Sequence, residues 1–326
     1  MGFDHTMECW DPWDVSRTYG IRGLNQNDRE HEDDMEDGRR GRRKKQRKKP
    51  FFERLAVRCE NVGSSLCVGL DPDPQRLPEH LGRGAEATYK FCVEVIEATE
   101  DYAAAYKPNL AFFESIGVEG YHVLNEVMKA VPGDVPVIVD AKRGDIGTTA
   151  RHYAKSIFGW LDADATTLNP LLGRDSIDPF LKYEGRGLYI LCLTSNNGSK
   201  DFQLQQDLYL RIARRVSEWN TKGNMGLVVG ATRPQFIDSI QAIAPKLPIL
   251  VPGLGAQQGD LSAVLTACKH RQRHEVLFNV SRSIIFAGSD EAFGREARLA
   301  ARHYSNMIRE TWEKVREVAG DREGAS

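Results

Sequence analysis

Short apolar runs recur along residues 51–326, and each run ends at a polar residue or a glycine. The runs are continuous and rich in β-branched residues instead of alternating between apolar and polar, which is typical of strands buried on both faces. We therefore predict eight strands. They end near Asp71, Lys107, Asp140 with Lys142, Asn169, Ser195, Thr232, Gly253 and Arg282.

Segments with helical periodicity separate these strands. They span residues 85–99, 112–130, 148–160, 202–219, 233–244 and about 291–318. Strand and helix alternate eight times over about 275 residues. This alternation predicts an α/β protein and favours a (β/α)8 TIM barrel over its competitor, a doubly wound open sheet. In such barrels the loops after the strands carry the function, and the polar residues that end the runs lie there.

The first fifty residues have a different composition. Residues 28–37 hold seven acidic side chains and residues 39–49 hold nine basic ones. Blocks of like charge repel each other and bury no apolar surface, so we predict a disordered charged extension over 1–50 and a barrel domain over 51–326. The basic run 39–49 could contact nucleic acid, but it lacks aromatic residues for stacking, which favours a solvated tail.

The composition of the whole chain excludes several classes of protein. Its 326 residues include 44 Lys and Arg against 46 Asp and Glu, so a net charge of −2 gives no general attraction to nucleic acid or membranes. No apolar run is long enough to span a membrane, and the N-terminus lacks a secretory signal. Six scattered cysteines form no CxxC pair, which indicates buried reduced thiols in a cytoplasmic protein.

The densest chemistry lies in the third run, DAKRGDIGTT. Asp140 and Lys142 are two residues apart on a predicted strand, so their side chains point the same way. Lys107 ends the neighbouring second strand, and opposite charges buried close together cost less than one charge buried alone. The sequence therefore predicts an alternating array of Lys107, Asp140 and Lys142, with Asp145 just beyond it on the turn.

Two other interpretations fit parts of this segment. An interior layer of salt bridges would bring opposite charges together, but it does not account for their position at strand ends before a Gly-Thr-Thr turn. A phosphoribosyl-diphosphate loop also joins an apolar strand to acids, glycine and threonines. That loop usually has two adjacent acids, whereas here Lys142 intrudes.

The last two strands end in residues that suit a phosphate group. Gly253 and Gly255 follow the seventh strand in PGLGAQQG, and Ser281 and Arg282 follow the eighth. Glycine lets backbone N–H groups approach an anion, and arginine binds phosphate oxygens in a bidentate manner. Because many barrels hold phosphate on the loops after strands 7 and 8, we predict a phosphate site there.

Together these motifs resemble the orotidine 5′-phosphate decarboxylase family, in its longer-chain bacterial branch. DAKRGDIGTT is similar to the family's Asp-x-Lys-x-x-Asp signature, and the resemblance covers essentially all of 51–290, from VGLDPDP to NVSRS. It implies a cytoplasmic homodimer of de novo pyrimidine biosynthesis. This enzyme would convert orotidine 5′-monophosphate to UMP and CO2 without a cofactor or a metal.

The resemblance also implies a role for each site residue. Lys142 would stabilise and protonate the ring carbanion, and Asp140 would lie against the scissile carboxylate. Other residues would contact the rest of the substrate: Asp71 and Lys107 the ribose, Ser195 the pyrimidine amide, Gln257 both phosphate and base, Arg282 the phosphate, and Asp145 and Thr149 the ribose in the neighbouring subunit. Family members often have Pro at the position of Gly147 and Gly at that of Ser281. The glycine at position 147 makes the cross-dimer turn of this chain less rigid, whereas Ser281 still offers its backbone N–H.

Two rival functions remain open at this point. A sister barrel decarboxylase or aldolase would act on a sugar phosphate through a Mg²⁺-held enediolate. A non-enzymatic binding protein would use 39–49 and keep the barrel as a scaffold. His270 and His274 are four residues apart, as a metal pair can be, but their basic neighbours Lys269, Arg271 and Arg273 predict a solvated basic face instead.

Overall fold

The computed structural model describes residues 49–255 and 259–323, so the predicted extension lies outside it except for Lys49 and Pro50. All eight predicted strands are present. Their bounds are Leu66–Leu70 (β1), Ala105–Pro108 (β2), Ile138–Arg143 (β3), Ala165–Leu168 (β4), Gly187–Leu193 (β5), Met225–Val229 (β6), Ile249–Pro252 (β7) and Val276–Val280 (β8).

The eight strands form one parallel sheet in the order β2-β1-β8-β7-β6-β5-β4-β3. Single bridges from Tyr106 to Val137 and from Asn109 to Asp140 join its two edges, β2 and β3. The sheet thus closes into a barrel, which confirms the predicted TIM barrel and excludes the doubly wound open sheet. Because the strands are parallel, all eight carboxyl ends meet at one mouth of the barrel.

At least one helix lies between each pair of successive strands, and a long helix follows the last strand. Within the described residues, no helix is both long and apolar enough to cross a membrane. The helices are Phe51–Val62 (α1), Ala85–Thr99 (α2), Leu110–Glu114 (α3), Val118–Ala130 (α4), Gly147–Ala154 (α5, continued by π-helix Lys155–Trp160), Asp178–Leu181 (α6), Leu208–Trp219 (α7), Ile237–Ile243 (α8), Leu261–Ala267 (α9), Arg282–Ile285 (α10) and Phe293–Glu323 (α11).

Two helical segments differ from the periodicity of the sequence. The segment predicted over 112–130 is divided into α3 and α4, because Gly117 between them takes a φ of +89°. The segment predicted over 202–219 forms an α-helix only from Leu208 onward, because Gln206 and Asp207 take φ angles of +48° and +55°. A right-handed helix cannot pass through left-handed residues, so both boundaries are set by the backbone and not by the apolar pattern.

The amino end of the barrel is filled by apolar side chains and closed by α1. The buried residues of α1 (Phe51, Leu55 and Cys59) pack with one inward residue from each strand. Burial of a side chain as large as Phe51 or Leu55 contributes about 1.5–3 kcal/mol. The strand residues are Cys67, Ala105, Ile138, Ala165, Tyr189, Val228, Leu250 and Leu277.

Polar contacts fix α1 against the segments that lead into the strands. The Arg54 guanidinium lies 2.6 Å from Oδ1 of Asp164, just before β4, and the side chain of Asp164 is 4% exposed. Arg58 donates from Nε to the carbonyl of Ala103, just before β2, at 3.0 Å. Helix α1 is therefore part of the barrel core, and the opposite, carboxyl mouth is the end left for chemistry.

Candidate active site

The strand residues that pack against α1 inside the barrel are apolar. On several strands, the residue two positions after that apolar residue is polar. Because side chains alternate across a strand, a residue two positions beyond the apolar layer also faces the barrel interior. Strand pairing places Lys107, Asp140 and Thr167 at these positions on β2, β3 and β4, and Asn279 on β8. All four are buried. A buried polar layer thus lies directly above the apolar one, at the carboxyl mouth.

Asp140 lies at the centre of this layer, between two ammonium groups. Lys107 Nζ is 2.7 Å from Asp140 Oδ2, and Lys142 Nζ is 2.7 Å from Asp140 Oδ1. The side chains of Lys107 and Asp140 are 5% and 9% exposed, whereas that of Lys142 is 49% exposed. The structure thus brings the three predicted array residues together and leaves the Lys142 ammonium within reach of a ligand in the mouth.

Burial and charge act in opposite directions on the two buried members of the array. Burial alone would raise the pKa of Asp140, but the ammonium groups of Lys107 and Lys142 hold that pKa well below its ordinary value. Burial alone would lower the pKa of Lys107, but the carboxylates of Asp140 and Asp71 raise it above its ordinary value. Asp140 and Lys107 therefore remain charged at neutral pH, and each holds the other in its ionised form.

Thr167 belongs to the same cluster, although it is not among the site residues predicted from the sequence. Its Oγ1 donates to Asp140 Oδ1 at 2.8 Å and accepts from the backbone N–H of Lys142 at 2.9 Å. Thr167 lies two residues after Ala165, as Asp140 lies two after Ile138, and Ile138 pairs with Ala165, so both residues occupy equivalent inward positions. The run ATTL does not reveal which of its two threonines faces inward, because only the pairing of β3 with β4 sets that register.

Asp71 and Ser281 come together where β1 and β8 end. Ser281 Oγ lies 2.6 Å from Asp71 Oδ2 and donates a hydrogen bond to it. The other carboxylate oxygen, Asp71 Oδ1, is buried and has no hydrogen-bond partner among the described residues, and the same holds for Asn279 Oδ1. These two oxygens near the mouth are therefore buried acceptors to which none of the described residues donates.

The loops after β5 and β6 are tied together around Ser195. Thr232 Oγ1 donates to the carbonyl oxygen of Ser195 at 3.2 Å, and Arg233 Nη2 donates to Ser199 Oγ at 3.0 Å. Ser195 is half-buried at the end of β5, on the same mouth as the charged array. Arg233 was not selected from the sequence, because its role depends on two loops that are far apart along the chain.

The predicted phosphate residues lie at the ends of β7 and β8. Gly253 takes a φ of +96°, which favours glycine, and it begins the loop whose described part stops at Gly255. Gln257 lies outside the described residues. Across from this loop, Ser281 precedes α10, and Arg282 begins α10 as an exposed residue.

Asp145 and Thr149 do not join the array within one chain. Asp145 Oδ1 accepts from the backbone N–H of Ile146 at 2.8 Å, and Thr149 is exposed on α5. Gly147, the first residue of α5, takes a φ of +56°. A proline ring holds φ near −65°, so a proline at position 147 could not adopt this turn.

The segment around the two histidines is not the solvated basic face predicted from the sequence. His270 and Lys269 are exposed, but Arg271 is only 4% exposed, and that part of the prediction is wrong. Arg271 donates to the carbonyl of Leu247 and to Gln241 Oε1, both at 2.8 Å. Residues 49–255 and 259–323 contain no group of three or more His, Cys, Asp or Glu side chains that could hold a metal ion.

Comparison with known sequences places this chain in a known family of enzymes. The sequence profile of the orotidine 5′-phosphate decarboxylase / HUMPS family matches residues 64–297. The chain is 46% identical over 264 residues to an orotidine 5′-phosphate decarboxylase of Roseiflexus castenholzii, across 79% of this chain and 97% of that protein. A protein of the same name from Azoarcus sp. is 44% identical over 258 residues, across 77% of this chain and 95% of its own.

Solved structures show the same similarity. The Leishmania donovani OMP decarboxylase matches with a TM-score of 0.71 and 42% identity, and covers 81% of this chain and 99% of that chain. A putative orotidine-monophosphate decarboxylase from Toxoplasma gondii matches with a TM-score of 0.75 and 37% identity. The match covers 82% of this chain and 99% of the Toxoplasma chain. The family profile, the sequence identities and the shared barrel agree along the same part of the chain. This chain belongs to the orotidine 5′-phosphate decarboxylase / HUMPS family.

Proposed function

We propose that the protein decarboxylates orotidine 5′-monophosphate to UMP and CO2 in pyrimidine biosynthesis, without a cofactor. The observation that carries this proposal is the array at the carboxyl mouth. Asp140 has one ammonium group at each carboxylate oxygen, both at 2.7 Å, in a chain of this family. Such an array supplies a fixed positive charge next to a fixed negative one, which is what a localised carbanion and a departing carboxylate require.

The mechanism follows from the charges. The bond from ring carbon C6 to the carboxylate breaks, CO2 leaves, and the electron pair remains on C6. No carbonyl group delocalises that pair, so the Lys142 ammonium stabilises it electrostatically and then transfers a proton from Nζ to C6. Asp140 holds the Lys142 ammonium in place, while Lys107 keeps Asp140 ionised.

Several further residues suit the remainder of the substrate. Asp71 Oδ1 and Asn279 Oδ1 are buried acceptors without partners in the described chain, and they match the hydroxyl donors of a ribose. Arg282, Ser281 and the backbone from Gly253 to Gly255 suit the phosphate, with Gln257 bridging phosphate and base. Ser195 suits the pyrimidine amide. Contacts to the remote phosphate can position the ring, because binding energy there is available for orientation at C6.

The direct test is an assay of the full chain with orotidine 5′-monophosphate, followed by the loss of its absorbance. We expect turnover that is the same before and after exhaustive treatment with a chelator. The physical reason is that the oxygens of Asp140 are already occupied by ammonium groups, which would repel a divalent cation. A family relative that uses a Mg²⁺-held enediolate would lose activity on chelation and would leave orotidine 5′-monophosphate unchanged.

We also propose that the protein is a homodimer in which Asp145 and Thr149 complete the ribose site of the partner subunit. Ile146, Leu171 and Leu172 are each more than half exposed, and they lie on the loops after β3 and β4. Those two loops are joined by a hydrogen bond from the Asn169 N–H to the Arg143 carbonyl at 2.8 Å. An exposed apolar patch beside Asp145 suits burial against a second copy of the chain.

Mixed dimers test whether Asp145 acts across the interface. Lys142→Ala and Asp145→Ala chains are each expected to be inactive alone. Co-expressed, they should recover about a quarter of the wild-type activity, because half of randomly formed dimers are mixed and one of the two sites in each mixed dimer is intact. Activity no greater than that of the two parent variants would show that Asp145 acts within its own subunit.

We propose that the functional domain begins at residue 51 and that 1–50 is an appendage. Support comes from α1, whose Phe51 and Leu55 are buried in the barrel. A chain of residues 51–326 should keep the turnover and melting temperature of the full chain. If only the full chain binds RNA at low salt, the basic run 39–49 has a separate binding role; loss of turnover on truncation would contradict the proposed boundary.

A cytoplasmic location is part of the same proposal. Cys59, Cys67, Cys92, Cys192 and Cys268 are free and buried. Burial raises the pKa of the Cys67 thiol to about 12, so this thiol stays protonated and unreactive. Unpaired thiols are typical of a reducing compartment, and cell fractionation tests the assignment.

A further inference from the structure

We infer that Thr167 is a positioning residue for Lys142: its hydroxyl sets both the backbone and the ammonium of Lys142 against Asp140. The inference rests on the proposed function for its kinetic consequence, but the contacts stand independently. Thr167 is 2% exposed and lies beside Asp140 in the buried polar layer. It touches the array from β4, whereas the three charged residues come from β2 and β3.

The hydrogen bonds of Thr167 have only one consistent direction. The Lys142 amide can only donate, so Thr167 Oγ1 accepts from it at 2.9 Å. The single hydroxyl hydrogen is then available for Asp140 Oδ1, at 2.8 Å. Lys142 Nζ donates to the same Oδ1 at 2.7 Å. A closed ring results, in which one hydroxyl links the backbone of Lys142 to the carboxylate oxygen that receives its ammonium.

The backbone at Lys142 needs such support. Lys142 takes a φ of +46°, which is disfavoured for a residue with a side chain. The register between β3 and β4 also shifts between Val139 and Arg143, so Lys142 lies in an irregular part of the ladder. Irregularities of this kind re-aim a side chain next to an active site. Here the Thr167 hydroxyl is the hydrogen-bond acceptor for the Lys142 amide, and it thereby helps to hold the re-aimed backbone.

The neighbouring Thr166 provides a matched control. It lies on the same strand, is completely buried, and its Oγ1 donates to the Val139 carbonyl of β3 at 2.8 Å. Replacing either threonine with valine removes one buried hydroxyl and keeps the β-branched shape. Only the change at 167 removes a contact to Lys142 and Asp140. A loss that is merely structural should therefore be similar in the two variants.

The experiment compares Thr167→Val, Thr167→Ser and Thr166→Val in the full chain. We expect Thr167→Val to lower kcat by about 30-fold or more with KM within about threefold, because the loss concerns the orientation of Lys142 and not substrate binding. Thr167→Ser retains the hydroxyl and should restore kcat to within about fivefold of wild type. Thr166→Val should stay within about threefold of wild type.

Hydrogen exchange gives a readout that does not depend on the reaction. The Lys142 amide should exchange at least about tenfold faster in Thr167→Val than in wild type. Its exchange rate in Thr166→Val should equal that of wild type. The inference is overturned if Thr167→Val keeps both kcat and Lys142 exchange at the wild-type level, or if Thr166→Val loses as much kcat. Should the wild-type chain not turn over orotidine 5′-monophosphate, the proposed function fails, and the exchange measurement alone decides whether Thr167 holds Lys142.

Discussion

Replacing Lys142 with alanine should lower the turnover of orotidine 5′-monophosphate by at least about 10⁴-fold, because one side chain both stabilises the carbanion and delivers its proton. The fold should remain intact, since the Lys142 side chain is 49% exposed and fills no part of the core. Losing this ammonium still leaves Asp140 bound to Lys107 and Thr167. Steady-state kinetics and thermal unfolding of the purified variant measure the two effects separately.

The matched control for this prediction is Lys90→Ala. Lys90 is also a half-exposed lysine paired with one carboxylate, that of Glu86 at 2.7 Å, but it lies on α2 away from the barrel mouth. Its removal should leave kcat unchanged. Retention of turnover within about tenfold of wild type in Lys142→Ala would contradict the proposed mechanism.

Replacing Asp140 with alanine should produce the largest loss of stability that one substitution in this site can cause, about 3–5 kcal/mol, together with loss of turnover. The reason is that Lys107, whose side chain is 5% exposed, loses the carboxylate 2.7 Å away and becomes a buried cation without its nearest partner. Chemical unfolding at pH 7 measures the effect. The control is Asp134→Ala, which breaks the ion pair between Arg58 and a half-exposed Asp134 and should cost no more than about 1 kcal/mol.

The pH dependence of this loss has a defined sign. In the wild-type chain Asp140 raises the pKa of Lys107 above its value in the unfolded chain. The ion pair therefore contributes fully to stability below the unfolded pKa of Lys107, and this contribution is lost only as the pH rises above that value. In Asp140→Ala we expect burial, the largest influence on this group, to outweigh the remaining carboxylate of Asp71 and to lower the pKa of Lys107 below its unfolded value. The unfolded chain then binds more protons, so the stability of the variant should rise between about pH 7 and 10. A deficit that stays constant over this range would contradict the assigned cause.

A double variant separates stability from activity. Lys107→Met in the Asp140→Ala background removes the buried cation and should restore most of the lost unfolding free energy, since an apolar side chain of similar length carries no charge to desolvate. Turnover should stay absent, because the carboxylate next to Lys142 is still missing. Failure of the double variant to regain stability would mean that Asp140 supports the fold through contacts other than Lys107.

The charged array shows how far sequence reasoning reaches. Asp140 and Lys142 are two residues apart on a strand, and period-two alternation predicts both side chains on one face, although the left-handed backbone at Lys142 interrupts that alternation in the structure. Lys107 could be added because successive strands of such a barrel are neighbours, so its contact with Asp140 depends only on strand order. The eight strands and this array were therefore predictable from local periodicity and topology, without knowledge of any distance.

Other features depend on pairing between strands and on backbone geometry. The inward position of Thr167, and not Thr166, follows from the register of β4 against β3, which a short run of buried residues does not encode. Arg271 was wrongly predicted to be exposed to solvent. A charged residue within a basic segment gives no sign that its guanidinium will donate to the carbonyl groups of Leu247 and Ala244, just after α8. The contact of Ser281 with Asp71 joins residues 210 positions apart and could not be predicted from spacing.

The sequence by itself determined the class of fold, the end of the barrel that carries the chemistry, and the charged residues that meet there, because hydrophobic periodicity and strand order are local properties of the chain. Only the tertiary structure decided that α1 closes the opposite end, that Lys142 takes a left-handed backbone and that a threonine on the next strand holds it. These features depend on packing and strand register between segments that are distant along the chain. Local sequence patterns do not encode them, because each contact is set by several segments together.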